Sequence, residues 1–174
     1  MLAKVCSAAV NGIEAYPVEV EVDSGYGESY CVIVGLPDAA VKESRDRVST
    51  AMGNSGFRFP IGKTTINLAP ADVRKEGPSF DLPIALGILA ASEQFASDQL
   101  ENFVMVGELA LNGAVRPVKG VLPIALKARK DGKIGVLVPV ENAPEAAVVE
   151  GLQVLPVRNL REAVSFFDKT RRRR

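Results

Sequence analysis

Histidine and tryptophan are absent from the 174 residues of this chain, and cysteine occurs only twice. The missing imidazole excludes every Ser-His and Cys-His catalytic arrangement and every zinc site built on histidine. A general base would have to be lysine, aspartate, glutamate or tyrosine. Cys6 and Cys31 lie in strand-like segments with no CxxC or other metal spacing, so they read as reduced, buried core residues. The longest apolar run, "LPIALGILAA", falls well short of the roughly 20 residues a membrane span needs. The N-terminus lacks the long apolar stretch of a signal peptide, which makes the cytoplasm the expected compartment.

What is present is an ordinary globular composition, 47% hydrophobic and 24% charged, long enough for one well-buried core. The formal net charge of zero hides a split. Without the terminal run Arg171 to Arg174, 17 basic residues face 21 acidic ones, so the body is acidic. The run itself reads as solvated charge, with a nucleic-acid contact or the start of a linker as alternatives. We expect a single domain over residues 1–168 and a basic tail or linker over 169–174.

Along the chain, "NG" at Asn11-Gly12 marks a hairpin. After it Val18, Val20 and Val22 alternate with Glu19 and Glu21, as in a half-exposed antiparallel strand. "SYCVIVGL" reads as an apolar strand. Pro37-Asp38 opens a helix with Val41, Ser44, Val48, Ala51 and Met52 at helical spacing, ended by "GNSG". "KTTINLAP" is a β-branched strand, and a second hairpin turns at Asn112-Gly113. "LPIALKARKDG", "IGVLVP", "APEAAVVEG", "LQVLPV" and "LREAVSFFDK" then alternate helix and strand. Hairpins first and βα units later predict an α/β (α+β) fold, a mixed sheet with helices packed on it.

Two motifs invite a functional reading. Gly62-Lys63-Thr64 looks like the end of a phosphate-binding loop, but the position five residues earlier is Phe57 rather than glycine. The following "KTTINL" also predicts a strand, where no helix N-terminus would gather N–H groups on a phosphate. The second is "RKEGPSFDLPIALG", in which Gly77-Pro78 delivers Ser79 to the start of an apolar helix. Pro83 is tolerated only in a first turn, which puts Ser79 near the N-cap. Ser79 is then either a nucleophile or a cap whose hydroxyl accepts a backbone N–H.

The block "KEGPS" resembles the nucleophile block of Lon-type Ser-Lys peptidases, and "VGELALNGAVRPVKGVLPIALK" resembles the block carrying their catalytic lysine. On that resemblance the lysine position falls on Leu122, and Phe80 and Asp81 replace two small residues after Ser79. A serine without a base is a poor nucleophile near neutral pH, so the helix-cap reading is preferred. Lys119 precedes the lysine position by three residues and is expected to point elsewhere.

Nearly the whole chain resembles a second family. "VNGIEAYPVEVEVDSG", "IVGLPDAAVKESRDRVSTAMGNSGFRFP", "TTINLAPADVRKEGPSFDLPIALGILAAS" and "VGELALNGAVRPV" together look like the N-terminal domain of magnesium-chelatase-like AAA+ ATPases of the YifB/ComM type. A weaker similarity to the Lon-like domain of a DNA-repair ATPase, RadA, points the same way. The resemblance implies a Lon-protease-like, or ribosomal-protein-like, domain fold without peptidase chemistry. It further implies a parent protein that continues into an AAA+ module holding ATP and Mg2+, and that assembles as a hexamer driving DNA branch migration. No cofactor is expected in this chain itself, and neither a membrane nor a small-molecule substrate is indicated. With no histidine and no acid cluster of ligand spacing, nothing in the residues points to porphyrin or metal handling. Candidate contacts to DNA or partner subunits are Lys42, Arg45 and Arg47 on the first helix, Arg74 and Lys75 before Ser79, and Arg116 and Lys119 after the second hairpin. Their plainer reading is solvated charge. A protein-interaction module without a DNA role, or an active serine peptidase using another lysine, are the alternatives.

Overall fold

The computed structural model describes residues 1–168. The first two strands, β1 (Leu2–Asn11) and β2 (Glu14–Gly25), form a hairpin in which Asn11 pairs with Glu14 across a two-residue turn. Gly12 supplies the positive φ, +67°, that such a turn requires. Val18, Val20 and Val22 are buried on one face, while Glu19 and Glu21 are half-exposed on the other. The third strand, β3 (Tyr30–Val34), runs parallel to β4 (Lys63–Ala69), which returns antiparallel to β2.

Between β3 and β4 the expected helix forms in two pieces, α1 (Ala39–Lys42) and α2 (Ser44–Asn54). Asp38 caps the first by accepting from the Val41 N–H at 2.8 Å. Val41, Ser44, Val48, Ala51 and Met52 all face the core, as their spacing predicts. After β4 comes α3 (Asp81–Ala91), buried along its whole length, as expected of a helix that is apolar all round.

The second half supplies β5 (Phe103–Met105), the small hairpin β6 (Glu108–Leu109) and β7 (Val115–Arg116), α4 (Val121–Lys130), β8 (Gly135–Pro139), α5 (Ala143–Ala146), β9 (Gln153–Val157) and α6 (Leu160–Phe167). The main sheet has seven strands in the order β3-β4-β2-β1-β5-β8-β9, and four of its six pairings are parallel. The α/β mixed sheet expected from the sequence is thus the observed fold.

Strand alternation separates two cores. Val5, Met105 and Leu137 pack with α2, α3 and α6 on one face of the sheet. Ala8, Val104, Val106, Val136 and Val138 pack with α4 and α5 on the other. Strands covered on both faces must be apolar throughout, which is why β8 reads as a continuous hydrophobic run whereas β2 alternates. The thiols depart from expectation. Cys6 and Cys31 are free but only half-buried. Burial raises the pKa of the Cys31 thiol and so disfavours its reactive thiolate.

Candidate functional site: the groove at Ser79

Ser79 ends the segment that joins β4 to α3, and that segment is fixed from beneath by Lys75. The Lys75 side chain is fully buried, and its ammonium donates to the Gly35 carbonyl at 2.8 Å and to the Pro70 carbonyl. Its backbone bonds on both sides: the Lys75 N–H donates to Leu36 O at 3.0 Å, and Lys75 O accepts from the Asp38 N–H at 3.0 Å. Asp38 adds a further link, accepting from the Gly77 N–H at 3.2 Å while it caps α1. Lys75 is therefore not the surface cation expected from the sequence. Its carbonyl cage holds the loop that carries Ser79.

Burial pulls the Lys75 pKa below that of an ordinary lysine, with Asp72 opposing the shift. The unfolded chain then binds more protons than the folded one between the lowered pKa and the ordinary value. Folding stability gains with rising pH across that window. Relative to Lys75→Met, the wild type should therefore become more stable as pH is raised toward the ordinary lysine pKa. Urea titrations of both proteins at stepped alkaline pH read this directly, and a difference that is flat or falls with pH would contradict it.

The Ser79 hydroxyl is not a helix cap. The helix begins at Asp81, the flanking residue is Phe80, and no side chain caps the terminus. The physical reason lies in the donors of the first turn. The Asp81 N–H reaches Pro78 O at 3.2 Å, the Leu82 N–H reaches Gly107 O at 3.0 Å, and Pro83 has no N–H to satisfy. Among the described residues nothing hydrogen-bonds to the Ser79 hydroxyl, while the Ser79 carbonyl accepts from the Gly107 N–H at 2.9 Å.

Directly behind Ser79 sits a feature that the sequence did not reveal. Asp81 is completely buried, and its carboxylate takes a two-pronged contact from Arg47, Nε to Oδ2 at 2.7 Å and Nη2 to Oδ1 at 3.0 Å. The Ser44 hydroxyl donates to Oδ1, and the Leu109 N–H donates to Oδ2 at 3.0 Å. Arg47 also donates to the Ala40 carbonyl at 2.9 Å. Arg47, expected on the solvated side of its helix, is instead an internal tie between α1, α2, α3 and β6. The Asp81 carboxylate raises the guanidinium pKa further, despite its partial burial. The only sequence signal was a charged residue at the head of an apolar helix, and its partner is 34 residues away.

In front of Ser79 lies a groove of about 830 Å³, bounded by the end of β1, the Ser79 loop and the segment after β7. Arg74 and Lys119, both exposed, come together on its lining with Asp38, Glu76 and Glu108. Lys119 thus shares the groove with Ser79 rather than pointing elsewhere, but it is not hydrogen-bonded to it. Arg74 pairs loosely with Glu76 at 3.7 Å, and its carbonyl accepts from the Tyr16 hydroxyl at 3.1 Å. Burial, then Glu76, raises the Tyr16 pKa. Leu122, at the position implied for the lysine, is half-buried against the α4 core, and its N–H donates to Glu145 at 2.9 Å. Lys42, Arg45 and Arg116 are exposed outside the groove lining, with Arg45 beside Asp46 at 3.8 Å. The run Arg171 to Arg174 lies outside the described residues.

The chain offers a hydroxyl without a bonded base. It should not react with a fluorophosphonate serine probe, and Ser79→Ala should remain within about 0.5 kcal/mol of wild type, as a substitution that removes no bond does. Stoichiometric labelling abolished by Ser79→Ala would refute this reading. In the "GKTT" stretch Lys63 and Thr64 open strand β4 beside Gly25 and Ser24 rather than a helix, so no helix N-terminus gathers N–H groups there. Among the described residues no group of three or more potential ligands could hold a metal ion, and no helix is long and apolar enough to cross a membrane.

The fold and the groove define an α/β domain that presents a serine just ahead of its buried helix. Comparison with known proteins supports this and makes it specific. The family model described as subunit ChlI of Mg-chelatase matches residues 18–142. The chain is 43% identical over 167 residues to YifB of Escherichia coli, an uncharacterised protein, and 44% identical over 167 residues to the competence protein ComM of Haemophilus influenzae. Each alignment covers 96% of this chain and 33% of the relative. Lon protease 2 of Bacillus subtilis is more distant, 25% identical over 178 residues, with 89% of this chain and 32% of the relative covered. The chain belongs to the magnesium-chelatase-like family that includes YifB and ComM. It spans about a third of the length of these relatives.

Proposed function

We propose that this chain is the non-catalytic N-terminal domain of an ATP-driven ring motor acting on DNA. Its task there is to help assemble the ring and to hold DNA weakly, while ATP and Mg2+ belong to an AAA+ module in the rest of the protein. Kinship with a protein named for competence supports a DNA-linked role, and the threefold greater length of the relatives leaves room for a motor. Within the chain, the observation that carries the reading is that Arg74 and Lys119, 45 positions apart in sequence, line one groove. The branch-migration activity of a hexamer is the finer form of the same proposal.

Three acids on the same lining, Asp38, Glu76 and Glu108, keep any one site weak for a polyanion. Six weak sites in a ring suffice through avidity. The isolated chain should bind DNA without sequence preference and lose affinity steeply with salt as counterions are released. Arg74→Glu with Lys119→Glu should weaken the binding further, read by fluorescence anisotropy on a labelled duplex. The control deletes Arg171 to Arg174. If that deletion alone abolishes binding and the double variant has no effect, the DNA reading fails. The mixed charge of the groove then favours a protein-interaction module that serves assembly only.

A further inference from the structure

The sheet contains an internal gap. β1 has a strand partner along its β2 side from Leu2 to Asn11, but on the other side only Cys6 is paired, with Val104 of β5. Beyond that pair the chain parts from β1 while staying bonded to β8: the Val106 N–H donates to Leu137 O at 3.2 Å, whereas the Gly107 N–H turns to Ser79 O at 2.9 Å. The hairpin register fixes which backbone groups this strands. Asn11 and Glu14 close a two-residue turn and so form a mutually bonded pair, after which bonded and non-bonded pairs alternate. Pro17, which has no N–H, falls opposite Ala8 in a non-bonded pair, as this phase requires. The Val10 N–H and C=O and the Ala8 C=O therefore face away from β2, into the groove.

The opposite wall does not fill the gap. Val118 lines the groove there, and both of its backbone groups are taken by the Asn142 side chain, each at 2.9 Å. Gly120 packs against Val10, where a Cβ would come within 2.6 Å of its methyl group, so the wall is close but unbonded. The Glu108 carboxylate on the lining is half-buried and accepts no hydrogen bond among the described residues, and the Arg47 guanidinium that interacts with it is already committed to Asp81. Asp38, by contrast, is used up by the Val41 and Gly77 N–H groups.

We propose that this groove takes an extended peptide segment of a partner protein, which adds as a strand beside Ala8 to Asn11 and places a lysine or arginine side chain against Glu108. Main-chain bonds to Val10 give the affinity, and the carboxylate gives the choice of side chain. The volume lies within the usual range for a ligand site, about 300–1,000 Å³. Binding leaves the peptide intact, since Ser79 has no base. The inference goes beyond the DNA reading and stands or falls separately, because it rests on Glu108 and β1 rather than on Arg74 and Lys119.

The probe is a phage-displayed library of random peptides, selected on the full chain, with the enriched sequences then synthesised. We expect enrichment of segments with a basic residue among β-branched ones and with no proline at the centre. Titration should slow hydrogen exchange of the Val10 amide about tenfold or more, as entry into a strand ladder does. Glu108→Lys should weaken binding about tenfold or more, as loss of a hydrogen bond to a charged group does, and a urea titration should show that the variant remains folded. Failure to enrich, binding without Val10 protection, or equal binding by a folded Glu108→Lys variant would each overturn the proposal. So would Val10 protection that rises with protein concentration alone, which would assign the groove to a second copy of the chain.

Discussion

Asp81→Ala is expected to destabilise the domain by about 3–5 kcal/mol, the usual result of removing one partner of a buried ion pair. The carboxylate is fully buried and receives four donors, from Arg47 twice, from the Ser44 hydroxyl and from the Leu109 N–H. Without it the Leu109 N–H and the Ser44 hydroxyl lose their acceptor in the interior, and the guanidinium keeps a charge with only the more distant Glu108 and Glu43, the latter at 3.4 Å, to offset it. Arg47→Ala should approach the same cost from the other side, since it strands a carboxylate with no exposure. The double variant should cost less than the two single losses added, because each single already breaks the shared interaction. Urea denaturation of the three proteins decides the matter. A loss below about 1 kcal/mol for Asp81→Ala would put the pair in the class of exposed ion pairs that contribute little.

This network also shows where sequence reasoning stops. Local periodicity located the elements well: the valine alternation of β2 and the spacing of Val41, Ser44, Val48, Ala51 and Met52 both mark residues that the fold buries. Those signals rest on the chain's own geometry over a few residues. The fate of a charge depends on what arrives from elsewhere. Arg47 lies on a helix of mixed charge and reads as solvated, yet it turns inward because Asp81 is brought to it by the packing of α3 on α2. Lys75 reads as a loop cation, yet Gly35 and Pro70 enclose it. Ser79 reads as a cap, yet the carbonyls of Pro78 and Gly107 satisfy the helix terminus before its hydroxyl is needed. Motif order predicted that Ser79 would head a buried helix. The groove in front of it depends on β5 parting from β1 beyond the Cys6–Val104 pair, which no local pattern in that segment announces.

Gly35→Ala tests the floor beneath the same loop and should be among the most damaging single-methyl additions in the protein. Gly35 has φ of +103°, and a Cβ built there would lie 2.1 Å from the Leu68 carbonyl oxygen and 2.9 Å from its carbon. The obstacle is backbone of β4, held on both sides by β2 and β3, so it has no rotamer by which to give way. The left-handed conformation alone costs an alanine about 1–2 kcal/mol, and overpacking against a fixed wall adds about 1–3 kcal/mol. Moving the residue to relieve the contact also moves the carbonyl that accepts from Lys75, at 2.8 Å, and loosens the support of the Ser79 loop. Gly77→Ala separates the two contributions, for Gly77 has φ of +82° with nothing within 4 Å of the added methyl. It should show the conformational cost alone, about 1–2 kcal/mol, whereas Gly35→Ala should lose about 2–5 kcal/mol or fail to fold. Equal losses in the two variants, measured in parallel urea titrations, would mean that β4 yields and that the close approach of Gly35 to Leu68 is not what holds this loop.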